Sequence, residues 1–365
     1  MDSQGSPSRK RQRVDTEPEV PPPAEPPVQD PVYYKNDGDC VILVKNTLFK
    51  IHRFLLTRDS TVFADMFSLP GNESSPQGTA DSTPILLHDD PEDFRYLCWA
   101  LYALPTELSA QSTAGGANVS KLIRLAKLVN KYQFASFEKW AIGIVTQQCV
   151  EHKYLTTCHH SQFSSLLGLA SLCNHEPLRQ AVQDTWLVRL QNTATPYASA
   201  LNAATEYGHR DFQGMVYYIL LQTLDKAEAT PIPKTSALVN PAPKLSAAYN
   251  QILRTGYWSL SKYWERCCKG PPVTLPRSKK CVKDDHTNCL AGWEHVWRAT
   301  IRNNKLDSKR VDVLESLDRL QKSFPKSRLI HSNIMPECAE LAVQVVPSLQ
   351  EELRRTMADH FLGPL

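Results

Sequence analysis

Between Asp39 and Lys45 the chain carries five apolar residues in a row, Cys40-Val-Ile-Leu-Val44, with charge at both ends. A run this short and this rich in β-branched residues predicts a strand buried on both faces, which requires covering layers on either side of a sheet. The turn residues Asn36-Asp37-Gly38 precede it. Thr47-Leu-Phe-Lys-Ile51 follows after a two-residue break at Lys45-Asn46, the spacing of a hairpin, with Phe49 and Ile51 on one face and Lys50 on the other.

The apolar period then changes from strand to helix. Asp59 or Ser60 can cap a helix that puts Val62, Phe63, Met66 and Phe67 on one side and ends at Pro70. Residues 70–84 read as a polar loop and Ile85-Leu-Leu87 as a short third strand. Asp90-Pro91-Glu92-Asp93 combines a cap, a proline at the first helical position and acids in the first turn. Phe94, Leu97, Cys98 and Leu101 continue it as an i, i+3, i+4, i+7 stripe that Pro105 stops. Beyond Gly115-Gly116, two more striped helices carry Leu122, Leu125, Ala126 and Val129, then Phe137, Trp140, Ala141, Ile144 and Val145.

This order of elements resembles the BTB/POZ domain, and particular residues carry the resemblance. They are Asp39 and Val41, Phe49-Lys-Ile-His52-Arg53-Phe-Leu-Leu56, Ser60, Phe63, Met66-Phe67, Ile85-Leu-Leu87 followed by acids, Phe94 to Tyr102, and Leu122 to Tyr132. They span about a third of the chain. Together with the basic, proline-rich start of the chain they are similar to the BTB proteins of mushroom-forming fungi. The fold class expected is therefore an α+β BTB/POZ domain, a small sheet covered by helices, followed by mainly α-helical domains and preceded by a disordered tail. The resemblance implies protein partners and a possible homodimer. It places Asp39 and Arg53 in a charged pocket near the dimer interface, and a local ion pair or cap remains the alternative. His52 reads as a satisfied structural histidine, since no acid or thiol stands at catalytic spacing. Members that recruit a cullin ubiquitin-ligase scaffold carry an apolar-x-Glu motif after the Met-Phe pair. The matching positions are Gly71, Asn72 and Glu73, where the acid is present and the apolar anchor is not, which leaves cullin binding open. No N-terminal strand or helix of the kind exchanged between protomers is legible.

Residues 1–31 hold eight of the 26 prolines and almost no apolar side chains, the composition of a disordered tail. Within it, Arg9, Lys10, Arg11 and Arg13 form a basic run suited to nuclear import, so a nuclear or nucleocytoplasmic location is expected; a solvated charge cluster is the bland reading. No apolar core follows Met1, so no secretory signal is expected, and the ten cysteines read as thiols or metal ligands and not as a disulfide frame. A net charge of +3 argues against a wholesale nucleic-acid or membrane-surface binder, and no apolar run approaches the ~20 residues that span a bilayer.

The remaining divisions are a BTB/POZ domain at 32–150, a helical extension at 151–226, a Pro-rich linker at 227–247, and a Trp/Cys-rich helical region at 248–365. The extension resembles the helices that follow the BTB domain in BTB–BACK proteins by position only. Its stripes include Phe163, Leu166, Leu167 and Ala170, then Leu178, Val182, Trp186 and Leu190. Tyr217-Tyr218 reads as core. Residues 336–361 read as one or two helices broken at Pro347. In the last region the best zinc grouping is Cys267 (or Cys268), Cys281, His286 and Cys289, weighed against thiols packed with the tryptophans. No other cofactor is indicated. Residues 262–310 hold twelve Lys+Arg against five acids, yet Leu290, Trp293, Trp297 and Ile301 make a helix stripe that turns those tryptophans inward, against nucleic-acid stacking. G-x-S-x-G, phosphate-loop, dinucleotide and H-E-x-x-H motifs are missing, so a noncatalytic interaction module is expected. Its role would be that of a self-associating scaffold, a cullin-ligase adaptor or a nuclear regulator.

Overall fold

A computed structural model describes residues 26–68, 78–192, 195–229, 247–307, 311–326 and 328–364. They fall into two compact units. The first is the chain up to Ala103 together with Tyr132–Ala135; the second is Leu104–Lys131 with the chain from Ser136 onward.

The first unit is a four-stranded sheet with helices. Its strands are β1 (Val28–Tyr34), β2 (Cys40–Val44), β3 (Thr47–Ile51) and β4 (Ile85–Leu87), in the spatial order β1-β3-β2-β4. The hairpin pairs β2 and β3 antiparallel, with Ile42 opposite Phe49, and β2 pairs parallel with β4, with Ile42 opposite Ile85. Cys40, Val41, Ile42 and Val44 are all buried, as an unbroken apolar run requires. The helices are α1 (Arg53–Thr57), α2 (Thr61–Ser68) and α3 (Pro91–Tyr102). Ser60 caps α2: its hydroxyl accepts from Phe63 N at 3.1 Å and donates to Tyr132 O at 2.5 Å. Asp90 caps α3 by accepting from Glu92 N at 3.0 Å.

Strand β1 corrects the sequence reading. The tail was expected to run to residue 31 with no strand, yet Val28–Tyr34 lies parallel to β3 at the sheet edge. Its apolar residues gave no signal because Val28 and Val32 face solvent; Pro31 is tolerated because an edge strand can spare a donor. What fixes it is polar. Asp30, almost wholly buried, accepts from Val32 N at 3.0 Å and Tyr33 N at 2.8 Å and meets Arg95 Nε of α3 at 2.5 Å.

The second unit is helical. It starts with α4 (Pro105–Ala110), α5 (Val119–Lys131), α6 (Ala135–Val150) and the short α7 (Tyr154–Thr157). Pro105 ends nothing here, since α3 has already stopped; it opens α4, where a first-turn proline forgoes no hydrogen bond. Next come α8 (Ser161–Leu172), α9 (Glu176–Asn192), α10 (Tyr197–Glu206) and α11 (Arg210–Ala229). The Trp186 ring sits between Phe163, 5.2 Å away, and Phe212, 5.6 Å away. The last group is α12 (Ala247–Lys269), α13 (Lys283–Asn303), α14 (Val313–Ser323), α15 (Arg328–Asn333) and α16 (Pro336–Leu362).

Helix α16 runs through Pro347 without a break, against expectation. Its buried Val345, Val346, Leu349, Leu353 and Met357 each contribute about 1.5–3 kcal/mol, together well above the roughly 3 kcal/mol that an internal proline costs. It packs along α11, α12 and α14, so helices from both sides of the Pro-rich segment share one core. Gly214 of α11 permits this approach: a Cβ there would lie 2.4 Å from Ala358 N. Tyr217 and Tyr218 are buried in the same core and do not form an exposed surface. Among the described residues no helix is long and apolar enough to cross a membrane.

Candidate functional site

In the first unit, α1 follows the hairpin directly, and three of the sequence candidates meet at its start. The Asp39 carboxylate accepts from Arg53 N at 2.6 Å, so it caps the helix. The Arg53 guanidinium turns to α2, donating to Phe67 O at 2.9 Å and lying 4.2 Å from the centre of the Phe67 ring. Asp39 and Arg53 are thus neighbours through the backbone cap, while the Arg53 side chain is engaged by Phe67.

His52 is held on both ring nitrogens. Tyr102 OH accepts from His52 N at 3.1 Å and lies 2.7 Å from Nδ1, while Nε2 lies 3.4 Å from Asp37 Oδ2. Burial pushes the Tyr102 phenol up, so it keeps its proton and donates it to Nδ1. That leaves the Nε2 proton facing Asp37 and no free base, which is the structural role expected of His52. Nearby, burial pushes the Cys40 thiol up to about 12, the opposite of what a nucleophile needs.

Several large apolar side chains of this unit face solvent. Phe54 of α1 is 68% exposed, and Val28 and Val32 on the edge strand and Leu86 on β4 are also exposed. The sequence reading placed Phe54 and Leu86 within family motifs but identified none of the four as exposed, because a stripe that faces solvent obeys the same periodicity as one that faces a core. The partner-loop positions Gly71, Asn72 and Glu73 and the import candidates Arg9, Lys10, Arg11 and Arg13 lie outside the described residues.

The second unit gathers the other candidates. Trp264, Trp293 and Trp297 are buried, and their indole N–H groups donate to Leu306 O at 2.8 Å, Val273 O at 3.4 Å and Cys267 O at 2.7 Å. They are core side chains, as the stripe implied for Trp293 and Trp297. Trp258 differs: it is exposed on α12, with Lys262 Nζ 5.0 Å from its ring centre.

The zinc grouping is changed in one member. Cys281, His286 and Cys289 do converge, but the fourth group is Cys338, and Cys267 is not among them. Cys267 is buried on α12 against Tyr263, with its carbonyl held by Trp297. Cys338 stands in the first turn of α16 and is brought in by the packing of that helix, a contact that no short spacing announces. The ligand atoms of the four residues lie within 4.8 Å of one another. All ten cysteines are free thiols.

The first unit is thus a four-stranded sheet with parallel pairing at its edges, covered by helices. The family model of the BTB/POZ domain matches residues 34–139. This part of the chain is a BTB/POZ domain, a protein-interaction module, and it is followed by a mainly helical region. No curated protein matches the chain.

Proposed function

We propose that the protein is a noncatalytic scaffold or adaptor whose BTB/POZ domain self-associates through α1 and the adjoining part of α2. The observation that carries this reading is Phe54, 68% exposed on α1 beside the Arg53–Phe67 stack. An aromatic of that size in water favours a covering surface, and a closed two-fold dimer is the commonest solution. Burying it contributes about 1.5–3 kcal/mol per copy, and a two-fold interface counts it twice. Sedimentation equilibrium of the full chain should give a dimer, and Phe54→Glu should weaken it by at least about 100-fold. A wild-type chain that stays monomeric at high micromolar concentration refutes the proposal.

Nuclear action is part of the same reading and rests on Arg9, Lys10, Arg11 and Arg13. Alanine at all four should move a fluorescent fusion out of the nucleus. The basic, proline-rich start also supports placing the protein among the BTB proteins of mushroom-forming fungi. The adaptor alternative rests on Glu73, with Gly71 standing where an apolar anchor is needed. Gly71→Met should then strengthen cullin recovery in a native pull-down by up to about 2 kcal/mol, and an unaltered chain that already binds cullin strongly would favour this alternative.

A further inference from the structure

We infer that Cys281, His286, Cys289 and Cys338 form a closed, structural zinc site that staples the irregular segment before α13 to the first turns of α13 and α16. The donor set is three thiols and one imidazole, the chemistry of a tetrahedral zinc centre.

The geometry favours coordination over a hydrogen-bonded thiol cluster. His286 Nδ1 lies 3.9 Å from Cys281 Sγ and 3.8 Å from Cys338 Sγ. A neutral imidazole nitrogen has one lone pair and can accept from one thiol, yet two sulfurs stand equally near it. With Zn–S near 2.3 Å and Zn–N near 2.0–2.1 Å, a tetrahedral centre sets its ligand atoms roughly 3.5–3.8 Å apart. The four atoms observed are within 4.8 Å of one another, so contraction by about an ångström at most completes the tetrahedron.

The surroundings are those of a metal site. His286 Nε2 lies 3.3 Å from Leu275 O. A carbonyl only accepts, so the proton sits on Nε2 and the lone pair of Nδ1 faces the thiols, the orientation that ligating histidines adopt. Met335 N donates to Cys289 Sγ at 3.4 Å, a backbone contact that strengthens as the sulfur gains negative charge. Cys281, Cys289 and Cys338 are buried. His286 and Cys289 lie in the first two turns of α13 and Cys338 in the first turn of α16. Binding releases three thiol protons to solvent, with no redox change, and leaves a site of net charge −1 within a basic stretch of chain. All four positions are protein ligands, so there is no open place for a substrate.

The test is metal analysis of the full-length, tag-free chain purified without chelators, paired with zinc titration against a chromophoric chelator and with cobalt substitution. The expected result is stoichiometric zinc and a cobalt spectrum with intense tetrahedral bands and thiolate charge transfer. Cys338→Ser and Cys289→Ser should each weaken zinc by more than about 100-fold, beyond the loss typical of outer contacts. Cys267→Ser, which removes a thiol outside the cluster, should keep full zinc. If the variants fold poorly, the wild-type cobalt spectrum still decides the donor set. A wild-type chain that neither carries nor takes up zinc overturns the proposal. So does a disulfide among these three cysteines in non-reducing mass spectrometry, or zinc retained in full by Cys338→Ser.

Discussion

Replacing Asp30 by Ala should release β1 from the sheet while leaving the hairpin intact. The Asp30 side chain is fully buried and serves three donors: Val32 N, Tyr33 N and Arg95 Nε. Breaking a buried ion pair by removing one partner costs about 3–5 kcal/mol. Arg95 is 31% exposed and keeps its contact with Glu92, so its half of the loss is softened by water, and the low end, about 3 kcal/mol, applies. Hydrogen exchange on the full chain is the suitable assay, because two compact units need not unfold in one step. Peptides spanning 28–35 should exchange roughly 150-fold faster, and peptides spanning 40–44, whose strand pairs with β3 and β4 and not with β1, should not change. Tyr34→Phe, which removes only an exposed 2.8 Å bond to Asp81, should stay within about threefold of wild type. Acceleration of less than about threefold in 28–35 for Asp30→Ala would show that ladder pairing alone holds the strand and that the polar argument is wrong.

Gly214→Ala should destabilise the helical unit by about 1–3 kcal/mol, because the new Cβ meets backbone atoms of α16 that cannot swing away; urea unfolding followed by tryptophan fluorescence would expose the loss, whereas Gly143→Ala, with open space around its Cβ, should be neutral or stabilising. The same unit should lose stability in mild acid. Burial holds His209 below the ordinary histidine range, helped by Arg179, and burial does the same to His360, helped by Arg266. Below pH ~6.5 the unfolded chain therefore binds protons that the folded one refuses, so stability present at neutral pH falls as pH drops, by up to about 1.4 kcal/mol per unit for each histidine. The double variant His209→Gln/His360→Gln should flatten that slope in melts between pH 7 and 5. A slope unchanged in that variant would refute the assignment to these two histidines.

By itself the sequence determined the elements whose information is local. An unbroken apolar run this short, rich in β-branched residues and preceded by a turn reads as a strand covered on both sides, so β2 was legible from Cys40 to Val44, and with it the hairpin to β3. Asp90-Pro91 marked the start of α3 because a cap and a first-turn proline act within four residues. The stripes of Trp186 and Trp297 told which faces turn inward, since helical period and burial are two views of one geometry. Tertiary structure decided what local pattern cannot encode. β1 has no apolar signature and exists because Arg95, 65 residues later, neutralises Asp30 inside the protein. Pro347 does not end α16 because burial of its neighbours outweighs the missing hydrogen bond. Cys281, His286 and Cys289 could be grouped from their spacing, but Cys338 joins them only because α13 and α16 start at the same place. Ligand sets completed across helices are fixed by packing free energy summed over a whole core, and no window of neighbouring residues contains that sum.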